Sequence, residues 1–398
     1  MSVVEVALPR PLLVLRLLLG RGAFRAGVQV TALALVTVWD GRAFSLYAGA
    51  VGQCAWLLLV SDAPEKAALK TLPRTPRLGP SVVRLSLAMS AAPALALVTA
   101  VLVAAFVAPR AALTAYLAAG AWSACTGVLM TVSGLHRARG RPIWDTVAFG
   151  ASGAVVLAAT VATVVTGWAP QVHLLLVLAG TVAVTLGAIA ALPRTWVRPA
   201  PRRRLLGKLV RLTLLLGAAD LFDALCFALA YLVLTLSGQA DQSGVLYLAL
   251  LGPIAICQVV VYLLRVAQPA TSHRLRGTRG REGRAHAVRL LRRAEIMGAP
   301  LVVLVVAMAG LPYPVGLVVM AAVVVTLFLT VMYAGYLVEN TTNDVLTVTA
   351  SGALVGLVAT GLLAALLVPL EGAAGAMAAL ALAIPIKAHV MRRKLTTE

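Results

Sequence analysis

Charge is what this sequence has least of. Only 12% of its 398 residues are Asp, Glu, Lys or Arg, against about 25% in a soluble domain, whereas 61% are hydrophobic, against about 45–50%. Such a chain cannot cover its surface with polar groups in water, which excludes an ordinary soluble fold. Acids are the scarcer charge, 14 against 34 Lys and Arg, for a net charge of +20. In a soluble protein that excess points to nucleic acid. Here the basic residues fall between apolar runs, so a membrane accounts for them and no nucleic-acid partner is expected. The four cysteines, Cys54, Cys125, Cys226 and Cys257, each lie inside an apolar run, where a thiol acts as a small hydrophobe. Their spacing builds neither a disulfide framework nor a metal site. The five histidines are scattered. There is no HExxH, no GxxxxGK[ST] and no Ser/His/Asp pattern, so the chain is expected not to be an enzyme, with no catalytic residue, no metal and no cofactor. The start, Met1–Gly20, is broken by Arg10 and Arg16. It lacks the uninterrupted apolar stretch of a secretory signal and reads as a cytoplasmic amphipathic lead-in.

What is present is a succession of long apolar runs. A span needs about 20 mostly apolar residues to cross about 30 Å of hydrocarbon. Runs of that kind fall at 22–39, 44–61, 85–108, 111–134, 144–167, 171–192, 209–236, 244–266, 296–310, 315–337, 345–368 and 373–390. The expectation is an all-α integral membrane protein of about 12 transmembrane helices.

Lys and Arg favour cytoplasmic loops. With the N-terminus inside, the loops 62–84, 135–143, 193–208 and 267–295 and the tail 391–398 carry nearly all the basic residues, while the outside loops carry just Arg42 and Arg110. The segment 338–344 (VENTTND) is the one inside loop that is acidic and polar. The alternation predicts a multi-pass plasma-membrane protein with both termini cytoplasmic. It also divides the chain into a six-helix lobe at 1–192, a basic cytoplasmic linker at 193–208 and a second six-helix lobe at 209–398. The 267–295 segment is basic enough to lie on anionic headgroups, at about 1 kcal/mol per charge. The 33 glycines and the Ala-rich stretches of the whole chain suit close helix packing in lipid.

Ionisable residues inside a membrane are expensive and mark functional positions by default. Asp220 and Asp223, in the seventh run, are at i and i+3 and share a helix face. Two carboxylates there suit a coupling proton or sodium ion; pinning helix contacts is the structural alternative. Arg25, early in the first run, has a guanidinium that matches phosphate oxygens, or it snorkels to the inner surface. Gln29, Gln53 and Gln258 lie within runs, where they hydrogen-bond a sugar hydroxyl or a neighbouring helix.

Six plus six spans, a basic central linker and an inside N-terminus resemble the MOP superfamily of multidrug, oligosaccharidyl-lipid and polysaccharide exporters. The nearer likeness is to bacterial polysaccharide flippases. Phe44–Arg74 (FSLYAGAVGQCAWLLLVSDAPEKAALKTLPR) looks like that family's second span and following loop, Tyr247–Gly277 like its eighth span, and Gly372–Arg393 like its closing span. The resemblance implies a transporter that moves a lipid-linked or anionic glycan by alternating access between two lobes. A drug or cation exporter of the same superfamily and a non-transporting membrane assembly protein are the alternatives.

Overall fold

A computed structural model describes residues 11–72, 78–193, 203–275, 278–308, 313–341 and 346–397. Among them there is no strand. Thirteen helices follow in order: α1 (Pro11–Val38), α2 (Gly41–Cys54), α3 (Leu57–Thr71), α4 (Gly79–Val107), α5 (Ala112–Ala138), α6 (Ile143–Thr166), α7 (Pro170–Ala190), α8 (Arg203–Leu236), α9 (Ser243–Arg274), α10 (Thr278–Ile296), α11 (Gly298–Met308), α12 (Tyr313–Thr341) and α13 (Leu346–Thr397). In lipid every backbone polar group must be satisfied within the segment, which helices achieve. The ends are set locally. Asp40 caps α2 by accepting from the Ala43 amide at 2.6 Å, and Gly167, at φ 68°, closes α6 in the left-handed conformation.

Nine of the described helical stretches are long and apolar enough to cross a membrane, with α2 and α3 counted as one. The chain is a multi-pass helical membrane protein. The difference from twelve expected spans has three physical sources. α1 carries Arg16, Arg21 and Arg25, which dilute its apolar run. The ninth run contributes α11, a helix of 11 residues, preceded by the hydrophilic α10. The last two runs are two helices that meet at a break at Gly372 (φ 54°, ψ −125°) and are counted together as the one stretch α13. Three expected loops are largely helical instead: α3 continues through 62–71, α9 and α10 cover most of 267–295, and α12 carries Glu339 and Asn340. Residues 342–345 lie outside the described residues, as do 1–10 of the lead-in and 194–202 of the basic linker, whose last residues open α8.

The chain separates into two compact units, one of Arg16–Ala224 and one built on Leu225–Glu398. The cut falls inside α8. In the first unit α5 is buried along almost its whole length and packs against α2, α3, α4, α6 and α7. Glycine makes this possible. Gly120, Gly127 and Gly134 recur every seven residues on α5 and face α3: a Cβ on Gly120 would sit 3.0 Å from Leu57, and one on Gly134 would overlap the Glu65 carboxylate. With no side chains between them the two backbones approach closely. The hydroxyls of Thr131 (3.0 Å) and Ser90 then donate to the Ser61 carbonyl, joining α5 and α4 to α3. α1 meets α6 the same way, with Gly153 against Phe24 and a Thr31–Thr160 hydroxyl contact of 2.7 Å.

In the second unit α12 packs with α9, α10 and α13. The bend in α13 is clamped from the α8–α9 turn. The Ala373 amide donates to Gln242 Oε1 at 2.8 Å, and Gln239 Nε2 donates to the Pro369 carbonyl at 3.1 Å. A Cβ on Gly372 would overlap both glutamine side chains. Gly372→Ala therefore combines a clash with a disfavoured φ, at an expected cost of about 1–3 kcal/mol. Thermal unfolding in detergent should show a clear drop in midpoint for this variant. Gly207→Ala, where nothing stands within 4 Å, should leave the midpoint unchanged or raise it.

Candidate functional site

The first unit buries a network of charges on four helices. Arg21 of α1 donates through Nη2 and Nε to Asp145 Oδ1 of α6, at 3.1 and 3.3 Å. Arg137, near the end of α5, lies 3.9 Å from the other oxygen of Asp145 and donates to Glu65 of α3 at 2.5 Å. Asp145 and Glu65 are 0% and 1% exposed, Arg21 and Arg137 only 10% and 13%. Four ionised groups this dry persist because each carboxylate meets an arginine; removing one partner strands a buried charge. The Arg21 guanidinium also lies 4.6 Å from the centre of the Phe149 ring, a cation–π contact. Local sequence explains the convergence. Arg137 and Asp145 flank the α5–α6 turn, where Gly140 takes a positive φ, and the α5 glycines admit α3.

One helical turn along α3 from the buried Asp62 (1% exposed), Lys66 donates to Asp220 of α8. Lys66 is 11% exposed and Asp220 32%, so Asp220 is far more open than Asp62 or Glu65. Gly217 lies against Ala63, which brings the first part of α8 onto α3. Asp223 follows one turn on along α8, so two carboxylates of that helix stand near the lysine end of α3.

At the far end of this unit Trp39 donates to the Trp168 carbonyl at 2.8 Å and packs at a tilt against Tyr47, which meets His173; His173 Nδ1 and the Thr163 hydroxyl are 3.0 Å apart. In the second unit, Glu295 at the end of α10 accepts from Arg392 Nε at 2.6 Å and meets His389 Nδ1 at 2.7 Å, both on α13. The Arg392 bond, followed by that to His389, lowers the Glu295 carboxyl below its ordinary value of 4.5. Among the described residues no group of three or more His, Cys, Asp or Glu could hold a metal ion.

Of the residues singled out in the sequence, Asp220, Asp223, Arg25, Gln29 and Gln53 all belong to the first unit, and each is half-buried. Asp220 meets Lys66, and Asp223 lies one turn further along α8. Arg25 and Gln29 occupy successive turns of α1 above Arg21, with the Arg25 guanidinium 5.7 Å from the Phe24 ring centre. Gln258 is half-buried on α9 of the second unit. Sequence reasoning missed Arg21, Asp62, Glu65, Lys66, Arg137 and Asp145. A signal existed for α3: Asp62 and Glu65 stand at i and i+3 directly after the apolar LLLVS, the pattern that drew attention to Asp220 and Asp223. Assigning 62–84 to a loop hid it.

No family model matches the chain, and no curated protein does. Solved structures do resemble it along nearly its full length. An outward-facing multidrug resistance MATE family transporter of the MOP superfamily aligns with TM-score 0.59 and 13% identity over 97% of this chain and 94% of the other. An inward-facing structure of such a transporter aligns with TM-score 0.57 and 14% identity over 96% and 95%. A MOP superfamily transporter from Pyrococcus furiosus, described as having a binding pocket of reversed polarity, aligns with TM-score 0.56 and 11% identity over 97% and 95%. The chain shares the fold of these transporters.

Two predictions follow from the charges. Asp145→Asn removes the carboxylate shared by Arg21 and Arg137 and should destabilise the protein by about 3–5 kcal/mol, read as a large fall in the unfolding midpoint in detergent. The apolar pair Arg21→Met with Asp145→Leu should recover part of that loss, and a double variant no better than Asp145→Asn would contradict the reading. For the Glu295 clasp the pH dependence has a definite sign. A carboxyl lowered in the folded state stabilises it above the unfolded value and loses that contribution as pH falls through the folded pKa. The midpoint gap between wild type and Glu295→Gln should be full at neutral pH and close below 4.5. A gap unchanged by acid would contradict it.

Proposed function

We propose that the chain is a membrane transporter that works by alternating access between two lobes. One observation carries this reading: the fold aligns along its whole length with transporters solved in both inward-facing and outward-facing states. The lobes are the sequence's 1–192 and 209–398, joined by the 193–208 linker, with twelve spans, both termini cytoplasmic and the plasma membrane as the location. The substrate is an anionic, lipid-linked oligosaccharide or polysaccharide precursor, as in a polysaccharide flippase. The excess of basic residues on one side supports an anionic cargo, and anionic headgroups are the natural partner of the same surface. A proton or sodium ion couples transport at Asp220 and Asp223, with Lys66 as the resident counter-charge displaced when the ion binds. Arg25, Gln29, Gln53 and Gln258 line the substrate path.

Export of cationic drugs is the second reading, favoured by the multidrug MATE transporters among the similar folds and by the carboxylates of α3 and α8. Reconstituted liposomes separate the two. The flippase reading expects a fluorescent lipid-linked oligosaccharide to change leaflet and a cationic dye not to be moved. Asp220→Asn with Asp223→Asn should abolish flux while the protein still inserts and folds. Undiminished flux in that variant would end the coupling assignment, and dye transport without glycan flipping would transfer the substrate assignment to the second reading.

A further inference from the structure

α10 is an amphipathic helix whose apolar face is already occupied. Gly280, Gly283, Ala287, Leu291 and Ala294 are buried, at steps of three and four, and the helix packs on α12 and α13. The remaining circumference is rich in arginine: Arg279, Arg281, Arg289, Arg292 and Arg293 are exposed and Arg284 is half-buried, with Glu282, Ala285 and His286 exposed among them. A helix lying on a membrane surface ordinarily inserts its apolar face into lipid. Here that face is covered by protein, so the contact left to the outer face is electrostatic.

The second half of the feature is on α13. Glu295 holds Arg392 and His389, and the next residues, Arg393 and Lys394, are exposed. Within one turn of the Glu295–Arg392 pair, four exposed cations therefore stand on two helices: Arg292, Arg293, Arg393 and Lys394. Charges that served only to orient the chain during insertion would need no fixed register, since the orienting bias is a count of Lys and Arg near the spans. These are fixed, on a folded helix clasped to its neighbour. Three of the four are arginines, whose planar guanidinium pairs with phosphate oxygens bidentately.

We infer that this two-helix patch is a binding site for the phosphate of an anionic membrane lipid, with the Glu295 clasp setting the spacing of its cations. The inference rests on the chain spanning the membrane and on no particular cargo. The test uses the full-length protein in detergent, titrated with phosphatidylglycerol or phosphatidylcholine and followed by native mass spectrometry, so its outcome is read without transport. Phosphatidylglycerol should be retained in preference to phosphatidylcholine. Arg292→Gln with Arg293→Gln, and separately Arg393→Gln with Lys394→Gln, should weaken retention by about fivefold per charge. Arg139→Gln with Arg141→Gln, which removes two exposed charges from the α5–α6 turn, should leave it unchanged. Glu295→Gln makes the protein more positive, so diffuse attraction predicts tighter retention; the clasp predicts weaker. Equal retention of the two lipids, an equal loss in the Arg139/Arg141 variant, or tighter binding by Glu295→Gln would overturn the site. Displacement of the lipid by an equal concentration of inorganic phosphate would also overturn it, by reassigning the patch to a free anion.

Discussion

The first unit depends on the pairing of Arg21, Glu65, Arg137 and Asp145. Each ion taken from water carries a penalty of several kcal/mol that good geometry alone offsets, so α1, α3, α5 and α6 are bound to one arrangement. Buried carboxylates at 0% and 1% exposure leave no slack: a shift of α3 along α5 would part Glu65 from Arg137, and a shift of α1 along α6 would part Arg21 from Asp145. The glycine stripe of α5 is the packing counterpart of this constraint. It removes the side chains that would hold α3 away, and it delivers Glu65 to the end of α5 where Arg137 waits.

That same approach positions the more open centre. Once α3 is seated, Lys66 faces Asp220, and Gly217 against Ala63 fits α8 to it. The charges of this unit thus differ by degree of closure: the arginine pairs are sealed, whereas Asp220 is about a third exposed. α8 runs across the boundary between the two units, so the helix that carries this carboxylate has its two halves in different packing environments.

The second unit solves a different problem, the junction of two helices within the 52 residues of α13. A proline inside a helix removes one backbone hydrogen bond and kinks it, but the sharp bend is at Gly372, where φ is positive and Gln239 and Gln242 take up backbone groups near the break. At the other end of that helix Glu295 gathers Arg392 and His389. Both devices use polar side chains to fix helix ends that apolar packing alone would leave free to slide.

The sequence by itself determined the solvent and the helices. Twenty-residue apolar runs have one stable form in lipid. It also marked Asp220 and Asp223, because a carboxylate inside an apolar run is conspicuous wherever the helix lands. It did not disclose Arg21, Glu65, Lys66, Arg137 or Asp145. These sit at the margins of runs, where a charged residue is ordinarily a solvated loop residue and where a one-turn extension of α3 changes its environment completely. Nor did it distinguish a loop from a packed helix, since α10 falls in the expected 267–295 loop apart from its last residue. Those were decided by tertiary structure. Whether a charge is buried depends on which helix lies against it, and that in turn depends on glycines sixty to seventy residues away whose only contribution is to leave space.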